Sequence, residues 1–582
     1  MAFFKFNSKD WSPSDTWAYI CLFMFVIIAG LATNPFFEMG VNDDWSYSQI
    51  AVGFAQSGRI VYRGGSAAGL LIQIPFGALL TNLFGGSFVT HRLGTLFLSG
   101  FVPILVYRLG LKFAIRRQLA FFGAMTFGLS PVFIPHAVSF MSDSYGCLFL
   151  LAAIDTGVKS VLQTKPWLAA ALFSLAMVLC FLGGMNRQAV WVTGPAVAAA
   201  YCLSRRRQYR HVVWGAALFA LCCWLVLHWL KQQPDFGYEM LSGQTLAMRP
   251  SELYRAFRAY VGLLLTTVVF AMPALFLGVA LILRRPVQAV LASLSIAAVF
   301  AATFWETALI FPYLDDVVTQ FGLFPAGLLL PGRLPVILPA TACRLVTAVA
   351  LGFLIALCVN CLSAARETAG KSFRAGSFSF RWEERTMAAI LIPVGSVAGY
   401  LFVLIVRAKG SQLYYRYCLP ILPLLVLVII AVWQRCGLRS PGLVAWAVLV
   451  VFGVYGVAIT HDHFEQVRAQ LRAAKILEEA AVPRERILAG FEGDMWTQVA
   501  LDGGLAHGAD PLGHVPPNLH QAWYLRYTLP QVWYLKYTPR IRPLYFLATS
   551  SVPHMSSCKF DPVHYFTWFS PHDRQLLILC PE

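Results

Sequence analysis

Two adjacent aspartates, Asp43 and Asp44, lie in the stretch NDDWSY at 42–47, directly after the first long apolar run. Two neighbouring carboxylates ionise together at low cost only where a cation, a metal or a proton relieves their repulsion. Basic residues follow at Arg59 and Arg63. Carboxylates beside arginines at the edge of an apolar segment suit chemistry on a phosphate-bearing lipid head group. The structural alternative is a solvated turn in which an aspartate caps an interfacial helix.

The composition sets the class of protein. The chain has 582 residues, of which 58% are hydrophobic and 13% are charged, and its mean hydropathy is +0.64. Soluble proteins have about 45–50% apolar and about 25% charged residues, so the composition predicts a polytopic membrane protein. In such proteins excess positive charge marks cytoplasmic loops. The net charge of +17 is therefore no indication of nucleic acid as a partner.

Apolar runs long enough to cross a bilayer, which takes about 20 residues, occur thirteen times. They lie near 17–33, 92–110, 117–136, 144–162, 167–184, 188–203, 211–230, 260–283, 287–309, 336–361, 387–406, 417–433 and 442–460. The run 68–84 is short and contains Pro75, and it can span the bilayer or lie along its surface. If it lies along the surface and the N-terminus is inside, the basic clusters fall on the inner side. The sequence therefore predicts about thirteen transmembrane helices, with the N-terminus inside and the C-terminus outside.

The polar character of the chain changes at His461, after which no further span occurs. We therefore expect a membrane domain at 1–460 and a small extracytoplasmic α/β domain at 461–582. Residues 463–480 have the apolar spacing of a helix, and short runs such as 576–579 are typical of strands. The tail also contains Cys558 and Cys580, for which an outer compartment permits a disulfide.

Three segments resemble the polyprenyl-phosphate-dependent GT-C glycosyltransferases, in particular the protein O-mannosyltransferases and the lipid A aminoarabinose transferases. The stretch NDDWSYSQIAVGFAQSGRIVY resembles their first outer loop, here 34–91. Asp143, in SFMSDSYGCLFLLAA, matches an acid of their second outer loop. The stretch YYRYCLPILPLLVLV is similar to their late Arg-Tyr-Leu-Leu-Pro segment. The chain departs from these families at Asp44, where Glu is usual, and at 67–69, where a Lys-Pro-Pro segment that holds lipid phosphate is absent.

The resemblance implies a GT-C-like fold and an inverting glycosyltransferase of a bacterial-type inner membrane. The sugar would move from a polyprenyl-phosphate-linked donor to an envelope acceptor, whether lipid, glycan or protein, on the outer face. The implied catalytic residues are Asp43, Asp44 and Asp143, and the implied substrate-binding residues are Tyr47, Arg59, Arg63, Arg187, Arg333 and Arg416. The three aspartates are also the expected ligands of a divalent metal, magnesium or manganese, whose use stays open.

Two other classes of protein fit a chain of this kind. A secondary transporter also has about a dozen spans, but transporters often show repeated halves and broken helices near the midplane. No repeated halves are visible in this sequence, and the acids concentrate at one predicted face. The other alternative is a flippase or a non-catalytic component of an envelope glycan or lipid pathway. Cleavage of a lipid-linked donor by the purified protein distinguishes the enzyme from both.

Overall fold

The computed structural model describes residues 13–62, 66, 68–233, 250–284, 286–302, 330–332, 338–374, 384–410, 413–503, 537–569 and 573–581. Two of the predicted donor-binding residues, Arg63 and Arg333, lie outside these ranges and stay predictions. The described chain is mostly helical, with a small sheet near the C-terminus.

The helices follow one another along nearly the whole described chain. They are α1 Pro13–Ala32, α2 Asp44–Ser57, α3 Gln73–Phe84, α4 Phe88–Ser99, α5 Phe101–Lys112, α6 Arg117–Gly128, α7 Ile134–Ala137, α8 Ser142–Leu162, α9 Pro166–Asn186, α10 Thr193–Ser204, α11 Tyr209–Lys231, α12 Pro250–Phe270, α13 Met272–Leu275, α14 Val279–Leu283, α15 Pro286–Ala302, α16 Ala340–Arg374, α17 Glu384–Gly410, α18 Leu422–Arg435, α19 Leu443–Glu479 and α20 Phe491–Asp502. Short 3-10 turns lie at Gln188–Val192, Arg206–Gln208, Phe276–Gly278, Tyr415–Cys418 and Arg484–Arg486.

Nine segments within the described ranges are long and apolar enough to cross a membrane, which confirms a polytopic α-helical membrane protein. They are Asp15–Ala32, Phe88–Lys112, Ser142–Leu162, Pro166–Asn186, Arg206–Lys231, Pro250–Phe270, Ala340–Cys361, Glu384–Ile405 and Leu443–Glu479. The other four predicted spans, 117–136, 188–203, 287–309 and 417–433, coincide in the described residues with the shorter helices α6, α10, α15 and α18. Hydropathy joins 117–136 and 417–433 into full spans because it does not register that the backbone turns after α6 and before α18.

The breaks in these short helices have local causes. Pro131 follows the end of α6 and cannot continue the hydrogen-bond pattern of a helix. Pro420 similarly follows the 3-10 turn at Tyr415–Cys418 and precedes α18. Charged residues lie at the ends of two neighbouring spans: Asp143 is in the first turn of α8, and Arg187 directly follows α9. The start of α8 and the end of α9 therefore bring an acid and a base together.

The C-terminal region is a sheet packed on helices. The strands are β1 Ile487–Leu488, β2 Tyr545–Ala548, β3 Met555–Ser557, β4 Val563–Tyr565 and β5 Arg574–Pro581, with sheet order β1-β2-β5-β3 and β4 also paired with β5. β1 pairs with β2 in parallel, and the remaining pairs are antiparallel. Cys558 and Cys580 form the predicted disulfide, with their Cα atoms 5.5 Å apart.

The last membrane helix does not end where the sequence predicts. A span at 442–460 and a separate helix at 463–480 are expected, but α19 is one continuous helix of 37 residues. Its C-terminal half carries buried side chains that pack with the strands, including Ala473 and Leu477. Asp462, in the middle of α19, accepts hydrogen bonds from the backbone amides of Trp568 and Phe569 at 2.7 and 2.9 Å. The sheet is therefore fixed directly to the helix that leaves the membrane.

Candidate active site

Asp43 directly precedes α2, and its carboxylate faces an arginine from a distant part of the chain. The side chain makes no capping hydrogen bond to α2, which speaks against a purely structural Asx cap. Instead its Oδ2 atom lies 3.5 Å from Nη2 of Arg416, and one quarter of the side chain is exposed. Burial raises the pKa of Asp43, the positive charge of Arg416 opposes this rise, and the negative charge of Asp143 adds to it. Asp43 is thus a partly accessible carboxylate with raised basicity.

Asp44 has a different environment, although it is adjacent in sequence. Its carboxylate is fully buried and accepts hydrogen bonds from the backbone amides of Val41 and Phe140. The Arg92 guanidinium lies 3.7 Å from Oδ2 of Asp44 and donates to the carbonyl of Phe37 at 2.8 Å. Burial raises the pKa of Asp44 to about 6, against the lowering effects of Arg92 and the two amides. Asp44 therefore connects three segments of the chain through its contacts with Val41, Phe140 and Arg92. Its carboxylate has no exposed surface that a substrate could contact.

Asp143 and Arg187 form the second acid–base pair of the site. Oδ1 of Asp143 lies 3.0 Å from Nη1 of Arg187, which also donates to Oγ of Ser142 at 3.1 Å. Gly146, one turn further along α8, permits this approach, because a Cβ atom there would lie 3.1 Å from Cδ of Arg187. Asp143 is buried, and its Oδ2 atom accepts no hydrogen bond from any residue that the structure describes. That atom is a buried acceptor available to a ligand, and Asp143 lines a small pocket with Arg187, Tyr400 and Pro420.

Three arginine guanidinium groups lie around the ring of Tyr417. Its ring centroid lies 5.5 Å from the guanidinium carbon of Arg187, 5.4 Å from that of Arg407 and 6.0 Å from that of Arg416. Each distance is within the range of a cation–π contact. The hydroxyl of Tyr400 donates to the backbone carbonyl of Tyr417 at 3.2 Å and so helps to fix the turn that carries the ring. One buried aromatic ring thus holds three guanidinium groups close together.

We call Asp43, Asp143, Arg187, Arg407 and Arg416 the charged cluster. Its two carboxylates and three guanidiniums leave one net positive charge. Because Arg guanidinium groups remain protonated in proteins, the cluster keeps at least one net positive charge whether its carboxylates are ionised or protonated. Such a cluster suits a ligand with one negative charge, and a guanidinium binds phosphate oxygens through two parallel hydrogen bonds.

The other predicted residues divide into those near the cluster and those apart from it. Tyr47 is buried near the cluster, where burial and the charge of Asp43 raise the pKa of its hydroxyl. Arg59 is exposed beyond the C-terminal end of α2, which separates it from Asp43 by roughly 20 Å at 1.5 Å per residue. The structure therefore does not bring Arg59 to the charged cluster.

The expected metal ligands do not converge. Asp43 and Asp143 face guanidiniums, whereas Asp44 accepts from backbone amides. Within the described ranges, no group of three or more His, Cys, Asp or Glu side chains is arranged to hold a metal. A divalent cation beside three guanidiniums would also meet like charge. The three aspartates as folded do not fit a magnesium or manganese site, so the chemistry proposed below uses side chains alone.

Three residues of this region were not selected from the sequence. Arg407 and Tyr417 both lie at the ends of predicted spans, where an interfacial anchor is the commoner role, and only the fold brings them together. Glu492 lies in the C-terminal domain, and its Oε1 atom accepts a hydrogen bond from the backbone amide of Asn42 at 2.9 Å. No spacing in the sequence indicates that contact.

Comparisons with known proteins give a structural likeness but no sequence relative. No protein-family model matches this chain, and no curated protein sequence matches it. Two solved structures of ArnT from Cupriavidus metallidurans, one in the apo state and one bound to undecaprenyl phosphate, are similar over 98% of this chain and 98% of their own. Both have 13% sequence identity and a TM-score of 0.38. Values this low decide neither the activity nor the site residues, which are inferred from the chain's own geometry.

Proposed function

We propose that this chain is a membrane glycosyltransferase of the GT-C type that transfers a sugar, with inversion, from a polyprenyl-phosphate-linked donor to an envelope acceptor. The observation that carries the proposal is the charged cluster, in which a partly exposed carboxylate lies beside guanidiniums gathered around Tyr417. The resemblance of the 42–62 and 414–428 segments to GT-C enzymes agrees with it. We place this site on the outer face of the membrane, as the charge distribution of the loops predicts.

The charge of the cluster matches the donor and the leaving group. A sugar joined through phosphate to a polyprenol is a phosphodiester with one negative charge, equal and opposite to the excess of the cluster. Transfer releases a phosphate monoester, which carries about two negative charges at neutral pH. Arg187, Arg407 and Arg416 would then stabilise the charge that develops on the phosphate as it leaves, which is the effect that accelerates such a step.

The nucleophile is a hydroxyl or amine of the acceptor. Its oxygen or nitrogen forms a bond to the anomeric carbon while the bond from that carbon to the phosphate oxygen breaks, and the electron pair stays on the phosphate. The proton of the nucleophile passes to Asp43, whose raised pKa and partial exposure suit a general base. Asp143 holds Arg187 through the 3.0 Å ion pair and so orients one of the phosphate-binding cations.

The test is donor cleavage by the full-length protein purified in detergent. A polyprenyl-phosphate-linked sugar, radiolabelled on the sugar, is incubated with a total envelope extract as the source of acceptor. We expect labelled acceptor and free polyprenyl phosphate with the wild type, and formation of both that is about 10²-fold slower or more with Asp43→Asn. Donor that stays intact with every extract would overturn the proposal. In that case, movement of uncleaved donor across proteoliposomes would identify a transporter or flippase instead.

A further inference from the structure

The turn that carries Asp43 is held from the C-terminal domain. Asn42, which begins this turn, has a positive φ of 58°, a left-handed conformation that Asn tolerates better than most residues. Its backbone amide donates to Oε1 of Glu492, a residue 450 positions away in the sequence. Glu492 is buried in the first turn of α20. The contact therefore joins a rigid helix of one domain to the catalytic turn of the other.

Apolar contacts reinforce the same interface. Trp45, two positions after Asp43, is almost fully buried and belongs to the core cluster of Phe491 and Met495 in α20. Gly40 leaves room for this packing, because a Cβ atom there would lie 2.3 Å from Cβ of Trp45. The tryptophan that follows the acid pair is thus part of the core of the C-terminal domain.

We propose that Glu492 is a positioning residue of the active site, through which the C-terminal domain fixes the orientation of the Asp43 carboxylate. This inference rests on the proposed function for the chemistry that it assists. Glu492 acts through the Asn42 amide, so it affects the geometry of the general base without contact to the donor. Truncation of the Glu492 side chain removes this hydrogen bond and leaves the turn less firmly held. Small displacements of catalytic groups lower the rate of the chemical step.

Several charged groups surround Glu492. Burial, with smaller contributions from the negative charges of Asp44 and Asp43, raises the pKa of Glu492 to about 7, and the hydrogen bond from the Asn42 amide opposes this rise. Arg92, on α4, is paired with Asp44, and Asp494, on Glu492's own helix, accepts from the Ala489 amide at 2.9 Å. Above pH 7 Glu492 is a carboxylate, and hydrogen bonds to ionised acceptors are roughly twice as strong as neutral ones. The hydrogen bond from the Asn42 amide to Glu492 therefore becomes stronger as Glu492 ionises.

The first test compares Glu492→Ala and Glu492→Gln with Asp494→Asn, which changes another buried acid of the same helix. We expect Glu492→Ala to lower kcat by about tenfold or more, with a smaller change in KM for the donor. Glutamine still accepts from the Asn42 amide, so Glu492→Gln should restore most of the rate at acidic pH. The ratio of wild-type rate to Glu492→Gln rate should then increase as pH rises through about 7.

Two outcomes overturn the proposal. One is a wild-type kcat in Glu492→Ala. The other is an equal loss of kcat in Asp494→Asn and Glu492→Ala accompanied by equal falls in unfolding temperature, which would leave Glu492 with a purely structural role. A constant ratio of wild-type to Glu492→Gln rates across the pH range would remove the part of the proposal that concerns ionisation.

A second measurement needs no turnover. Hydrogen exchange followed by mass spectrometry reports the local opening of backbone amides. Glu492→Ala should speed exchange at 40–47 and leave 117–128, in α6, unchanged. Unchanged exchange at 40–47 would contradict the positioning role even in an active enzyme. A wild type that cleaves no donor would overturn the proposed function, and the exchange result would still decide whether Glu492 holds the turn.

Discussion

Nη2 of Arg416 lies 3.5 Å from Oδ2 of Asp43, across 373 positions of sequence. Arg416 also lies over the ring of Tyr414, with its guanidinium carbon 4.6 Å from the ring centroid. The arginine is therefore held by its own turn while it faces the aspartate of the first loop. The pair exists only after the late turn between α17 and α18 has packed against the start of α2, so the proposed active site is complete only in the fully folded chain.

Removal of the Asp43 charge tests the proposed base. Asp43→Asn keeps the volume of the side chain and removes its basicity, so we expect kcat to fall by about 10²-fold or more. The measurement is release of polyprenyl phosphate by equal amounts of folded wild type and variant. Activity within a few-fold of the wild type would assign the first loop a structural role only.

Asp44→Asn should affect stability more than chemistry. The asparagine amide group would face a backbone N–H, and Arg92 would lose its buried counter-charge. Loss of hydrogen bonds to a buried charged group costs about 1–3 kcal/mol, so the unfolding temperature in detergent should fall. Turnover per folded molecule should fall much less than in Asp43→Asn. An unchanged unfolding temperature together with lost turnover would place Asp44 in the chemistry after all.

Replacement of Arg416 by lysine separates a phosphate clamp from a membrane anchor. A lysine keeps the charge and nearly the length of the side chain, but it cannot make two parallel hydrogen bonds to a phosphate. We expect kcat/KM for the donor to fall by an amount equivalent to about 1–3 kcal/mol. Arg439→Lys, at an exposed position between α18 and α19, serves as the matched control. Wild-type kinetics in Arg416→Lys would show that Arg416 does not bind the donor phosphate through two parallel hydrogen bonds.

The pH profile of an Arg416→Gln variant tests the pairing with Asp43. Arg416 lowers the pKa of Asp43, so its removal should raise that pKa further. A base acts only when unprotonated, so the acidic limb of kcat/KM should move to higher pH in the variant. The profile is measured from about pH 5 to about pH 9, with Asp44→Asn as a comparison. A limb that stays in place, or moves to lower pH, would contradict the assignment of Asp43 as the base.

The orientation in the membrane is tested by protease added to spheroplasts. The loop charges predict that the C-terminal domain is outside, so cleavage should occur within 461–582 and spare the basic loop at 363–386. Protection of the C-terminal domain in intact spheroplasts, with cleavage after lysis, would reverse the topology and the side on which Asp43 lies.

The sequence predicted the class of fold and the neighbourhood of the acids for identifiable physical reasons. Hydropathy indicates helices that must be apolar over about 20 residues, and it predicts each of the nine span-length segments within the part of the chain that the structure describes. It could not show that Asp43 and Asp44 diverge, because neighbouring residues in a turn can face different surroundings. The cluster around Tyr417 depends on long-range packing of α9, α17 and the late turn, which leaves no periodic signal. The contact between Glu492 and the Asn42 amide also depends on long-range packing, so the sequence does not indicate it.

The uninterrupted course of α19 has a mechanical consequence. A helix of 37 residues is about 55 Å long, so a tilt of about 5° at one end displaces the other by roughly 5 Å. Asp462 holds the segment between β4 and β5 against the middle of this helix. Glu492, on α20 of the same domain, holds the turn that carries Asp43. A change in bilayer thickness that tilts α19 would thus reach Asp43 as a shift in position, and the proposed transfer would respond to the lipid that surrounds the protein.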